Sequence, residues 1–479
     1  MRVEKDFIGE RQIEDNALYG IHSLRARENF PDSTRFSKEW YQAVGTVKQA
    51  CYLTYKDFAT GIRTKYKNSN HPISLIEDNI INALISSADE VAKGIYFDHF
   101  IVPAVSGGAG TSINMNVNEI LTNASLLKLV HNPGDYKIVD PIEHANIYQS
   151  TNDVIPTSLK VALMHLFNQL EDKINELRST IEGIEKKSRN YLRIGYTQMQ
   201  EAVPSSYGRL FGAYNDALSR DWWRVSKCME RIKTVNLGGS AIGSGLTVPA
   251  FFIRESIRTL QKITGLPISR AENMFDATSN LDALVEVHAI IKSHAVNLEK
   301  MVSDLRLLSS DILNTREVII PKKQAGSSIM PGKVNPVIPE YVISVAHKVY
   351  ANDALISSLC SQGCLELNAY LPVIGHAIIE SLKLLIGADE TLDKNLFAGL
   401  ELDPKTAYNK LICSPSVTTA LIPFIGYNNA TRLALRMKDK QIDIFEANKL
   451  LGIISETKLK EIIQPENLLK EGFTLKDLG

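Results

Sequence analysis

Between Leu163 and Ile184 the apolar residues Phe167, Leu170, Ile174, Leu177, Ile181 and Ile184 alternate steps of four and three over three heptads. That rhythm is a helix with one apolar seam; a strand would alternate in steps of two. A second seam, Leu284, Val287, Ile291, Leu298, Met301, Leu305 and Leu308, keeps a similar rhythm with His294 at one inward position. Further helical stretches are expected at about 207–235, 340–360 and, after a break at Pro372, 376–386. Long helices with apolar seams need one another, so a bundle is the natural solution. Strand patterning is scarce, and the clearest β-branched run, Val318-Ile319-Ile320, is very short. The expected fold class is mostly α, and His294 reads as a hydrogen-bonded core or interface histidine rather than a ligand.

At ~150 residues per domain, 479 residues suggest about three domains or one large multi-layered unit. The turn cluster His131-Asn-Pro-Gly-Asp135 and the segment from Asp389 to Pro404 place boundaries near 1–134, 135–393 and 394–479. Lys plus Arg total 53 against 54 Asp plus Glu, a formal charge of -1 that gives no footprint for nucleic acid or an anionic membrane. No apolar run approaches the ~20 residues of a membrane span, and the N-terminus lacks an apolar signal core. A cytoplasmic protein is expected. The five cysteines are odd in number and widely spaced, without CxxC, so neither a disulfide framework nor a zinc site is indicated. Cys360 and Cys364 read as small buried hydrophobes in a helix rather than a metal pair.

Three polar segments interrupt the helical chain. Gly107-Gly-Ala-Gly-Thr-Ser-Ile-Asn-Met-Asn-Val-Asn118 lets backbone approach a ligand closely and offers Thr111, Ser112, Asn114 and Asn116 as neutral hydrogen-bonding groups. If it opens a helix, its free N–H groups make an anion site. Within His144-Ala-Asn-Ile-Tyr-Gln-Ser-Thr-Asn-Asp153, the run Ser150, Thr151 and Asn152 supplies two hydroxyls and an amide, or simply a helix N-cap. Gly326-Ser-Ser-Ile-Met-Pro-Gly-Lys-Val-Asn-Pro336 is a shaped loop with two serines, a lysine and an asparagine. Lys333 can pair with a carboxylate, and a serine beside oriented donors can act as nucleophile or base. The chain has neither a GxSxG elbow around this loop nor a GxxxxGK[ST] phosphate loop.

That third loop resembles the signature of the aspartase/fumarase superfamily. Tyr19-Gly-Ile-His-Ser-Leu-Arg-Ala-Arg-Glu-Asn-Phe30, Gly110-Thr-Ser-Ile-Asn-Met-Asn116, Gln149-Ser-Thr-Asn-Asp153, Thr197-Gln-Met-Gln-Glu-Ala-Val-Pro204, Leu237-Gly-Gly-Ser-Ala-Ile-Gly243 and Pro423-Phe-Ile-Gly-Tyr-Asn-Asn429 resemble further blocks, in the family's order. The resemblance implies a three-domain fold with a central long-helix bundle, pooled as a 20-helix core in a homotetramer whose sites each draw on three chains. It implies elimination from a four-carbon dicarboxylate through an enediolate that pre-aimed donors must stabilise. Ser327 matches the family's base, and Lys333 and Asn335 match carboxylate ligands. Thr111, Ser150, Thr151, Asn152 and Thr197 complete the polar cage. The chemistry needs no cofactor; divalent-ion activation would leave no trace in these residues.

The resemblance leans toward the ammonia-releasing branch. Gln198 follows Thr197 where fumarases carry a histidine, and an amide cannot titrate near neutrality. Ser-Thr-Asn at 150–152 and His22-Ser-Leu-Arg25 lean the same way. Tyr196, Glu201 and the segment Glu366-Leu-Asn-Ala-Tyr-Leu-Pro372 depart from the family pattern. A fumarate hydratase, or a non-catalytic structural protein on this scaffold, are the competing expectations; retention of Ser327, Lys333, Asn335 and Ser150–Asn152 argues against the latter.

Overall fold

The computed structural model describes residues 1–67, 73–312 and 316–478 and is mostly helical, as the seams require. A hairpin, β1 (Arg2–Asp6) with β2 (Gly9–Ile13), precedes α1 (Ile21–Asn29), α2 (Lys38–Lys65), α3 (Asp78–Ala92), α4 (Thr111–Lys128) and α5 (Thr151–Lys187). A second antiparallel hairpin, β3 (Leu192–Thr197) with β4 (Gln200–Ser206), leads to α6 (Tyr207–Val225), α7 (Cys228–Ile232) and β5 (Thr234–Val235). Then come α8 (Ala250–Thr264), β6 (Ser269–Arg270), α9 (Met274–Ser279), α10 (Asp282–Leu308), β7 (Val318–Ile319), α11 (Val337–Cys360) and α12 (Leu371–Thr391). Strand β8 (Glu401–Leu402), α13 (Pro404–Cys413) and shorter helices finish the chain.

Two expectations change here. The helix anticipated over 207–235 breaks after Val225, because Thr234 and Val235 are taken into a parallel pairing with Ser269 and Arg270. Pro372 does not interrupt a helix; it lies in the first turn of α12, where its missing N–H has no partner to lose.

The chain forms two compact units: Met1–Leu170 with Arg224–Lys292 and Lys348–Leu384, and Glu171–Trp223 with Ser293–His347 and Leu385–Gly479. In the first, Ser37 caps α2 by accepting from the Trp40 N–H. Trp40, Val44, Val47, Cys51 and Tyr55 then recur in steps of three and four and are buried, packing α2 against α3 and α8. Gly45 permits the approach, since a Cβ there would meet the Ala92 nitrogen at 2.5 Å. The Trp40 indole N–H donates to Ser158 Oγ at 3.0 Å, tying α2 to the first turns of α5.

The second unit holds the β3–β4 hairpin against α13 and a core of Leu192, Ile194, Leu411, Leu433, Ile444 and Leu459. It also contains His294, fully buried between Asp221 Oδ2 at 3.1 Å and Asp389 Oδ2 at 3.0 Å. Burial opposes its charge, but the two carboxylates outweigh burial and hold its pKa at about 10. The seam histidine is a hydrogen-bonded core residue, as expected.

Other readings fail. Cys360 is half-buried and Cys364 is exposed beyond the end of α11. The helix stops because the Asn368 amide takes the Leu359 and Cys360 carbonyls, at 3.0 and 3.2 Å. The stretch Leu371–Gly399 is long and apolar enough to cross a membrane, which no unbroken apolar run revealed; 61% of its most apolar window is buried inside the protein. Among the described residues, no group of three or more His, Cys, Asp or Glu is placed to hold a metal ion.

Candidate active site

The glycine-rich segment does open a helix. Gly108, Ala109 and Gly110 take φ of 80°, 56° and 91°, turning the chain into α4 at Thr111. No side chain caps that start; the Thr111 N–H donates instead to the Gly108 carbonyl at 3.0 Å. At Gly110 a Cβ would meet Ile155 Cγ2 at 2.9 Å, so only glycine lets the heads of α4 and α5 approach. One turn along, the buried Asn114 donates its amide to Asn146 Oδ1 at 3.1 Å and Thr151 Oγ1 at 3.2 Å.

At the head of α5 the capping reading holds. Ser150 Oγ accepts from the Asn152 N–H at 3.2 Å, while Asp153 Oδ1 accepts from the Ser150 N–H at 3.0 Å, a reciprocal cap. Ser150 Oγ accepts in the cap and Thr151 Oγ1 accepts from the Asn114 amide, while their O–H protons have no acceptor among the described residues. Asn152 donates its amide to the Ala241 carbonyl at 2.6 Å. Pro156 lies inside α5, so no N–H reaches back to the Asn152 carbonyl. The Asn236 amide donates to that carbonyl instead, at 2.9 Å.

Beneath this head lie two fully buried charged side chains. The Lys48 ammonium donates to Gln149 Oε1 at 3.0 Å, and burial pulls its pKa down to about 7. Burial pushes Asp153 up to about 7, against backbone N–H groups of Ser150, Ser240 and Gly238 that favour the carboxylate.

Thr197 and Gln198 lie at the tip of the second hairpin. Thr197 pairs with Gln200, and Gln198 and Met199 both take left-handed backbone, φ 53° and 60°. Such a primed turn normally uses glycine or asparagine; two other residues there store roughly 1–2 kcal/mol each. Both are exposed. Tyr196 and Glu201 pair further along the ladder: Tyr196 packs on the C-terminal core and Glu201 accepts from Ser414 Oγ at 2.6 Å.

The Gly326–Pro336 loop closes on itself. Gly326 N–H donates to the Lys333 carbonyl and the Asn335 amide donates to the Gly326 carbonyl, both at 2.8 Å. Ser327 Oγ accepts backbone N–H bonds from Ile329 at 3.2 Å and Met330 at 2.9 Å. Two N–H groups aimed at one hydroxyl oxygen favour its anion. Lys333 is exposed and has no ion pair among the described residues. Ile329 is 85% exposed at the loop tip.

Thr111, Ser150, Thr151 and Asn152 thus belong to the first unit, and Thr197, Gln198, Ser327, Lys333 and Asn335 to the second. Sequence reasoning missed Asp153, Asn236 and Ser240, although Asp153 three residues after Ser150 is a capping-box spacing. A cleft of about 650 Å³ between Phe36, Phe97, His376 and Lys383 involves none of the candidate residues.

Residues 9–351 match the family model described as Lyase, and residues 417–470 match Fumarase C C-terminus. The chain is 34% identical over 479 residues to an aspartate ammonia-lyase of Bacillus subtilis strain 168, covering 100% of this chain and 98% of that one. It is 36% identical over 484 residues to an aspartate ammonia-lyase of Escherichia coli strain K12, at 99% and 98% coverage. A crystal structure of a fumarate lyase:delta crystallin from Brucella melitensis bound to cobalt superposes with TM-score 0.89 at 32% identity, covering 98% and 99% of the two chains.

Proposed function

The chain belongs to the lyase family of the aspartase/fumarase superfamily, and from that premise we propose that it is an aspartate ammonia-lyase, eliminating ammonia from L-aspartate to give fumarate. The Ser327 alkoxide removes a proton from the carbon beside one carboxylate. The C–H electron pair moves into that carboxylate as an enediolate, then forms the C=C bond as the C–N bond breaks and ammonia leaves. The hydroxyl protons of Ser150 and Thr151, with the Thr111 and Thr197 hydroxyls and the Asn152 amide, meet the growing charge. Lys333 and Asn335 hold a carboxylate. Steps run in both directions.

The observation that carries the base assignment is the pair of backbone N–H groups from Ile329 and Met330 on Ser327 Oγ. Support for ammonia over water as leaving group comes from Gln198, an amide where hydratases of this family carry a titrating imidazole. Full-length similarity to two named aspartate ammonia-lyases adds to it.

A water-exposed alkoxide at Ser327 would be quenched, and Ile329 and Met330 leave apolar surface bare beside it. In our reading a homotetramer covers this loop, and each site draws segments from three chains. Ultraviolet absorbance on mixing the enzyme with L-aspartate or L-malate tests the assignment. Fumarate from L-aspartate supports it. Fumarate from L-malate alone replaces it with hydratase activity, and fumarate from neither removes both.

A further inference from the structure

The Leu237–Gly243 block has no part in the elimination just described, yet it is built with unusual constraint around the head of α5. Ser240 holds a left-handed backbone, φ 59°, without being glycine, and Gly238 takes φ 85°. A Cβ at Gly239 would meet the Asn236 carbonyl oxygen at 2.8 Å, and one at Gly243 the Met274 carbonyl oxygen at 2.4 Å. Only glycine fits at these two positions of this backbone. Along it, the Ser240 N–H reaches Asp153 Oδ2 at 2.9 Å, and the Gly238 N–H also favours the charged carboxylate. The Ala241 carbonyl takes the Asn152 amide, and the Asn236 amide takes the Asn152 carbonyl that Pro156 leaves free.

An ordinary N-cap requires none of this. Ser150 and the Asp153 Oδ1 contact already satisfy the helix start, and the Ser240 N–H supplies the second carboxylate oxygen with the donor that burial denies it from water. What the grip does fix is the position of Ser150, Thr151 and Asn152 relative to a rigid backbone. Asp153 is fully buried and meets no substrate, so it cannot be a catalytic residue.

We propose that Asp153 is a positioning residue: by clamping the Leu237–Gly243 backbone to the head of α5, it holds the Ser150–Asn152 donors where negative charge develops in the elimination. The inference rests on the lyase reading above. Donors aimed at a developing charge lose far more from misplacement than groups that bind the ground state equally. Misplacement should therefore appear in kcat and spare KM.

Asp153→Asn keeps shape and one acceptor but removes the carboxylate's double grip. The expected result is kcat down about 30-fold with KM within about threefold, and a far-ultraviolet spectrum matching wild type. Gly238→Ala approaches from the loop side, since its Cβ would meet Ile253 Cα at 3.0 Å on a backbone that disfavours alanine. It should lower kcat about tenfold with the same sparing of KM, and it serves if Asp153→Asn does not fold. Wild-type kcat in a folded variant of either kind, or a loss confined to KM or melting temperature, overturns the proposal and leaves Asp153 as a helix cap. The wild-type chain is assayed alongside on L-aspartate and L-malate. Turnover of malate alone overturns the substrate reading, and the variant comparison is then made on malate. Turnover of neither overturns both.

Discussion

The head of α5 and the Gly326–Pro336 loop are both polar interruptions in a helical chain, and they are held in opposite ways. At the head of α5, Asp153 and Asn236 are buried and bonded to backbone from 87 and 84 residues away. The serine loop is closed by hydrogen bonds among its own atoms, within nine residues, and exposes Ile329 and Lys333. On the proposed reading, the half-buried donors Ser150, Thr151 and Asn152 are held by a buried frame that fixes their geometry without reorganisation. The proposed base, Ser327, and Lys333 sit on a loop braced by its own hydrogen bonds. A loop braced this way keeps its local shape before anything covers it, so the two regions should fail differently when mutated.

The largest difference is expected at the base. Ser327→Ala should lower turnover by roughly 10³-fold while fumarate affinity stays within about tenfold, because the base acts in the transition state. Near-wild-type turnover would remove the loop from the chemistry altogether. Lys333→Ala should raise KM roughly 10- to 100-fold through loss of a charge-assisted contact, and an unchanged KM would take Lys333 out of the site.

His294 provides a contrast that belongs to stability. Its folded pKa, about 10, lies above the ordinary 6.5. Its contribution is therefore complete below pH ~6.5, declines as the unfolded chain loses its proton, and is gone once pH passes about 10. Melting temperature should fall across that window, and His294→Gln should flatten the fall while turnover per folded chain stays near wild type. A steep alkaline decline that survives in His294→Gln would place the titration elsewhere. Smallest is Gln198→His: slow malate dehydration should appear if the missing imidazole alone limits hydration, and its complete absence would mean that other groups also separate the two chemistries.

The seams at 163–184 and 284–308 were legible because a repeating step of three and four has one structural meaning. Motif order carried the family, and the glycine-rich run at 107–110 marked where α4 could open; the approach of Gly110 to Ile155 needed the structure. What stayed hidden depended on contacts distant in sequence. Thr234 and Val235 become a strand only because Ser269 and Arg270 run beside them. Cys364 is exposed because Asn368 ends α11 from beyond it. Asp153 reads as a cap until Ser240 is seen on its second oxygen, and Pro156 reads as a flaw until Asn236 takes the carbonyl it frees.

Co-refolding two inactive variants tests most directly the proposed union of these two regions in one shared site. Ser327→Ala and Asn152→Ala chains should each be inactive alone. If a site takes its serine loop and its α5 head from different chains, random mixing leaves each segment intact with probability one half. About one site in four should then recover, assuming closed assemblies and independent mixing. Recovery near a quarter of wild-type activity is the predicted result. A mixture as inactive as its parents, in samples where mixed assemblies are shown to form, would contradict the shared site.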